Sequence, residues 1–275
     1  RMSAGSRRPD LMNGRETKLR MKKLASTALM LGVLAPLAWA APADAQQVQG
    51  NAEVEAEAVD LLRRTMGYLG GLESFTARVY NLREDIHESG DRVDFESFGD
   101  VVVTRPNKLR GFRHAEPMDE ALYYDGSTVT FYNEFENVYM SMAAPATIEE
   151  MFLAIHEYVE LYPVSDLIWR DAFPYLMQGV NLATVVGTES IGGVACTHLL
   201  FGRPDIGFQI WIPEDGPLLP TKYVVTDYAT PALLTIVTYI SDWDIDPEVD
   251  DDAFRFEPPA GARKMPFPKP DMAGE

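Results

Sequence analysis

The strongest constraint in this chain is a succession of short apolar runs of period two, each closed by a turn signal. Alternation places one set of side chains on one face of a strand, and a tight turn sends the next strand back alongside it. "FTARVYNLREDIHE" passes through Ser89-Gly90-Asp91 into "RVDFESFGDVVVTR", where Val93, Phe95, Val101 and Val103 share a face opposite Asp94, Glu96 and Asp100. Arg105-Pro106-Asn107 turns into "KLRGFRH", Asp125-Gly126 joins "EALYY" to "STVTFY", and Asn133 to Asn137 leads into "VYMSM". A second set follows from Asn181: "NLATVVGT", "GGVACTHLLF", "IGFQIWI", "TKYVVTDY" and "LLTIVTYISDW". In the third of these Phe208, Ile210 and Ile212 oppose Trp211. The pattern predicts an antiparallel meander of about ten strands.

Two stretches change period. Val54, Ala58, Leu62, Met66 and Leu69 recur at helical spacing between Asn51 and Gly70, and Gly70-Gly71 ends the run. In "APATIEEMFLAIHEYVELYP", Thr147 and Glu150 form a capping box. Ile148, Met151, Phe152, Ile155, Val159 and Tyr162 share one broad apolar face before Pro163. A short helical piece, "VSDLIWRDAF", follows. Helices between two halves of a meander lie across a face or the mouth of the sheet, as a lid does. The expected class is α+β, with one strongly curved antiparallel sheet.

The beginning of the chain reads as a targeting segment. Met21, Lys22 and Lys23 precede an apolar run from Leu24 to Leu37, followed by small residues. That order is a secretory signal over 21–45. Ala38-Trp39-Ala40 and Ala43-Asp44-Ala45 both satisfy the small-x-small rule, and cleavage after Ala45 is favoured. Residues 1–20 read as an upstream extension, and 46–275 as one domain. No cysteine adjoins either site to receive an acyl anchor. Of 24 basic and 42 acidic residues, eight and three lie before Gln46, leaving 16 and 39, a formal charge of −23. Such a surface repels nucleic acid and anionic head groups. Stable membrane insertion after processing is not expected. The single thiol, Cys196, allows no internal disulfide and reads as a small buried residue.

Catalytic patterns fail on spacing. "GTESIG" is one residue too long for a nucleophile elbow and falls at a hairpin turn. His87, His114, His156 and His198 are scattered. In the acidic series from Asp242 to Asp252, Pro247 stands where a calcium loop needs glycine and Ala253 where it needs a bidentate glutamate. No metal, cofactor or enzymatic activity is expected.

The order of signal, helix, meander, middle helices and second meander resembles the LolA-like superfamily of bacterial lipoprotein carriers. Within it, the chain looks like a family of predicted periplasmic proteins of unknown function. The resemblance rests on "RPNKLR", "YYDGSTVTFYNEFENVY", "APATIEE", "WIPEDGPLLPTKYVV" and "DDAFRFEPPAGARKMPF". It implies a periplasmic half-barrel whose concave face is covered by the helices and encloses an apolar cavity for acyl chains or another hydrophobic molecule. The implied partners are a lipid-like ligand and a membrane-associated donor or acceptor protein. The residues expected to line the cavity are Phe95, Val101, Val103, Phe131, Met151, Phe152, Ile155, Phe208, Ile210 and Ile236. Three functions stay open, in this order: a carrier or binder of a hydrophobic ligand, an interaction or sensor module for a partner protein, and a hydrolase.

Overall fold

The computed structural model describes residues 53–267 apart from 116, 117, 157 and 160. The readings for residues 1–20 and the signal at 21–45 lie outside the described residues. After helix α1 (Ala56–Gly71) come β1 (Ser74–Ile86), β2 (Arg92–Thr104), β3 (Lys108–Ala115), β4 (Met118–Tyr124), β5 (Thr128–Asn133) and β6 (Val138–Ala143). The middle holds α2 (Ile148–Ile155), a 3-10 segment (Pro163–Ile168) and α3 (Ala172–Leu176). A second meander follows: β7 (Leu182–Ile191), β8 (Val194–Gly202), β9 (Ile206–Pro213), β10 (Lys222–Asp227) and β11 (Thr235–Asp244). A second 3-10 turn (Asp251–Phe254) and β12 (Arg263–Lys264) complete the described chain.

All twelve strands form one sheet that does not close, in the order β12-β6-β5-β4-β3-β2-β1-β11-β10-β9-β8-β7. The two meanders meet at β1, which pairs along its whole length with β2 and antiparallel with β11. The expected α+β class with a curved, open antiparallel sheet is the observed one. Two strands exceed the expected ten. β12, only two residues long and parallel to β6, is too short to leave a periodic signal.

An open sheet leaves two edges with unpaired backbone groups, which are templates for aggregation. Each is paired over part of its length by a segment of this chain. On the β7 edge, Glu55 N–H donates to the Ala183 carbonyl at 2.8 Å and Ala183 N–H to the Glu53 carbonyl at 3.0 Å. The Glu55 carboxylate accepts from Thr184 Oγ1 and Val185 N at 2.7 and 2.9 Å, which holds its pKa below the ordinary carboxylate value. On the other edge, Arg263 and Met265 N–H groups donate to the carbonyls of Asn137, just before β6, and of Tyr139 in β6, at 3.0 and 2.8 Å.

The helices bury the stripes that their spacing announced. Ala58, Leu62, Met66 and Leu69 of α1 pack over the second meander against Phe201, Phe208, Ile210 and Ile212. Ile148, Met151, Phe152 and Ile155 of α2 pack over the first, against Phe75, Val103, Leu109, Tyr124 and Val129. Thr147 Oγ1 accepts from Glu150 N–H at 3.2 Å, as the capping box requires. α2 is shorter than its apolar face suggested. Tyr158 and Val159 N–H groups both turn back to the Ile155 carbonyl, so Val159 packs from a loop and Tyr162 precedes the next segment. Trp211 lies on the opposite, convex face with Cys196 and Val224. "GTESIG" runs along β7 into a two-residue turn in which Gly192 and Gly193 both have positive φ, the conformation that favours glycine.

One buried cation ties the two helices together. The Arg105 side chain, 1% exposed, donates through Nε to the Leu72 carbonyl just past α1 at 3.0 Å. Its Nη1 lies 3.7 Å from Glu149 Oε1 in the first turn of α2, and its guanidinium sits 5.9 Å from the centre of the Phe75 ring. Removing it leaves a buried carbonyl and a carboxylate without their cation. Arg105→Ala should therefore cost about 3 kcal/mol, read as a lowered Tm in thermal unfolding followed by circular dichroism.

Candidate functional site

Where the two helix-covered cores meet over the middle of the sheet, they leave a half-open cavity of about 200 Å³. Its floor is the concave face of β1 to β5, including Ala77, Val79, Val101, Leu122 and Phe131. Ile240 and Trp243 of β11 close one flank, and Leu161, Val164, Leu167 and Ile168 form the roof. The notch in the floor is Gly111, which faces Val101 on one side and Leu122 on the other. A Cβ built on Gly111 meets nothing within 4 Å, whereas one on Gly99 nearby would lie 1.8 Å from the Phe112 carbonyl oxygen. One glycine is needed for close backbone packing, and the other leaves space.

Polar groups are few. In the floor, Asn81 is buried and satisfied: its Oδ1 accepts from Thr238 Oγ1 at 2.7 Å and its Nδ2 reaches Ser97 Oγ at 3.5 Å. At the solvent side Arg113 forms an ion pair with Glu120 and donates to Tyr162 Oη at 2.9 Å, with its guanidinium 5.3 Å from the Tyr162 ring centre. Burial works against the Arg113 charge, but the Glu120 carboxylate outweighs it and raises the pKa. This arrangement is an apolar slot with a charged rim, suited to a hydrocarbon group whose polar end stays outside. Dry apolar cavities of about 150 Å³ take up a small hydrocarbon ring. A second depression of about 620 Å³, beside α1, is lined largely by charged side chains such as Glu57, Asp60, Arg63 and Arg64 and offers no such slot.

Of the ten residues expected in the lining, Val101 and Phe131 reach the cavity. Val103, Met151, Phe152 and Ile155 are consumed by the α2 core, and Phe208 and Ile210 by the α1 core. Ile236 is half-buried on the concave face away from the cavity, where it pairs with Arg83 and Val225. Phe95, near the start of β2, is 53% exposed. Phe95, Val101 and Val103 do share one face. The cavity occupies only its middle, because the helices fill one end and the described residues leave the other open. Gly111 and the roof were missed. The available signal for Gly111 was a glycine inside a strand, which marks a close approach or a gap. Among the described residues no three His, Cys, Asp or Glu side chains converge to hold a metal ion. Asp242, Asp251 and Asp252 of the acidic series instead pair with Arg78, Lys108 and Arg255.

The fold and site define a class: an open antiparallel sheet with helices on its concave face and an apolar slot between them. The family model described as "Predicted periplasmic protein (DUF2092)" matches residues 58–268, and the chain belongs to that family. The protein is thus periplasmic, and among the described residues no helix is long and apolar enough to cross a membrane. No curated protein matches the sequence. Solved structures similar to it include the Mycobacterium tuberculosis lipoprotein LppX, at 16% identity over 70% of this chain and 98% of that one, TM-score 0.44. LprF from Mycobacterium bovis matches at 13% identity over 71% and 96%, TM-score 0.41. The Pseudomonas aeruginosa MucA/MucB complex matches at 13% over 74% and 62%, TM-score 0.38. Likeness at this level bears on neither ligand nor partner.

The roof carries one unusual acid. Asp166 is half-buried in the 3-10 segment, and desolvation lifts its pKa from 3.8 to about 7 although Arg203 opposes the shift. Its charge in turn raises the pKa of the Tyr175 phenol and adds to the burial that raises that of Tyr223. The folded state holds this proton more tightly than the unfolded chain, so stability is greatest at low pH for this group. It falls as pH rises from about 4 and levels off above about 7. Asp166→Asn should flatten that decline, measured as Tm against pH, and should raise Tm at pH 8 while leaving it little changed at pH 4.

Proposed function

We propose that this protein is a non-enzymatic periplasmic binder or carrier of a hydrophobic ligand, holding an acyl chain or a similar hydrocarbon group in the cavity over Gly111. The observation that carries this reading is the glycine notch in a floor that is apolar apart from the hydrogen-bonded Asn81. A strand residue without a side chain weakens a sheet by roughly 0.5–1 kcal/mol, and here the described residues do not fill the space it leaves. The slot takes apolar matter, and its rim of Arg113, Glu120 and Tyr162 meets a polar head without drawing it inside. The modest volume suits part of a chain, with the remainder and the polar head outside.

A variant that fills the notch separates this reading from ordinary core packing. Gly111→Leu places its side chain in the cavity. It should lower affinity for a fluorescent fatty acid at least ten-fold while leaving Tm unchanged or slightly higher. Solvent extraction of protein purified from periplasm, followed by mass spectrometry, should recover lipid from the wild type and much less from the variant. Equal binding by both proteins, or binding by neither, would sink the proposal.

A further inference from the structure

The segment from Arg255 to Phe267 behaves as a strap around the free edge of the first meander. On the convex face the Phe256 ring sits among Tyr123, Tyr132 and Tyr139, at 5.4, 5.2 and 5.1 Å between centres. The chain then bends through Pro258-Pro259 and Gly261, whose φ of 78° is a conformation that glycine tolerates. At the bend Asn137 Nδ2 donates to the Ala260 carbonyl at 3.3 Å, while Asn137 Oδ1 accepts from Tyr132 Oη at 3.0 Å. β12 follows the edge of β6, and the chain emerges on the opposite, concave side. There the Phe267 ring stands edge-on to Phe131 at 6.0 Å and to Tyr158 at 5.4 Å.

Phe131 is the cavity's outermost floor residue on this side, and its cross-strand neighbour is Met140 of β6. Phe267 therefore stands behind the Phe131 ring, in the direction a bound chain would have to grow to pass from β5 onto β6. Tyr158, from the loop after α2, braces it from the roof side. The ring thus comes from a segment that is neither sheet floor nor helical roof. Two main-chain hydrogen bonds, to Asn137 and Tyr139, and one aromatic nest on the far face hold it there.

We infer that Phe267 is the end wall of the cavity and sets the length of hydrocarbon that it accepts. The inference rests on the apolar-cavity reading above and adds to it a ruler. With the ring in place a chain stops against Phe131 and must turn out to solvent. With the ring removed, Phe131 gains room to rotate, and the slot extends across one interstrand spacing, ~5 Å, over the flexible Met140 side chain. Each further methylene buried raises affinity roughly four-fold. Burying two of the roughly four methylenes that ~5 Å spans corresponds to a gain on the order of ten-fold.

The test compares wild type, Phe267→Ala and Phe267→Leu, with octanoate, laurate and palmitate competing against a fluorescent naphthalene sulfonate. In the wild type, affinity should stop rising between laurate and palmitate. In Phe267→Ala, palmitate should gain on the order of ten-fold while octanoate changes less than about two-fold. Phe267→Leu keeps an apolar contact with Phe131 and should lie between the two, so it carries the test if the alanine variant fails to fold. The same chain-length profile in all soluble proteins, or an equal loss for all three acids, overturns the wall and leaves the cavity reading standing. If the wild type binds none of the three acids, the cavity reading falls and takes the wall with it.

Discussion

The pairing of β1 with β11 is the interaction on which the rest of the molecule depends. Each meander is local, closed by turns of a few residues, but β1 and β11 are separated by the rest of both meanders and by the middle helices. Their ladder runs from Thr76–Asp244 to Arg83–Ile236 with one irregularity. Side chains reinforce it: Thr238 bonds Asn81 in the interior, and the Thr235 N–H donates to Glu84 Oε2 at 2.8 Å. Closing so long a loop costs conformational entropy, which the ladder and its side-chain contacts offset. Without this pairing there would be two smaller sheets, with β1 and β11 as further unpaired edges.

The join also explains where the cavity lies. α1 covers the second meander and α2 the first, and neither helix reaches the middle, where β1, β2 and β3 pass beneath the junction of the two cores. The chain crosses that junction as a 3-10 segment, whose packing surface is narrower than an α-helix and which brings Leu167 and Ile168 down without filling the space over Gly111. Trp243 and Trp169 pack against both cores and so mark the seam. A gap at a seam between two independently packed cores costs less than a hole within either, since each core keeps its own dense contacts.

Much of this was legible in the sequence. The capping box at Thr147, the glycine pairs after Leu69 and Ile191, and the alternation in β2 and β9 each specify local structure through backbone sterics or side-chain period, with little need of distant partners. Phe208, Ile210 and Ile212 on the concave side and Trp211 on the convex side follow from that period. The early end of α2 was not legible, because Val159 and Tyr162 keep helical spacing while the backbone turns away. Nor was β12, whose two residues pair with β6 only because the preceding strap brings them there.

The difference between face and depth sets the limit. Phe95 and Val101 lie on the same face of the same strand, six residues or roughly 20 Å apart. One is 53% exposed and the other lines the cavity. Period two says which way a side chain points and nothing about what stands opposite it. The sequence by itself determined the strands, their turns, their faces and the two helical stripes, because these rest on local dihedral preference and on burial of an apolar row. Only the tertiary structure decided which part of the concave face became core, cavity or open surface. That depends on where helices anchored elsewhere, by Arg105 and by the β1–β11 join, come to rest.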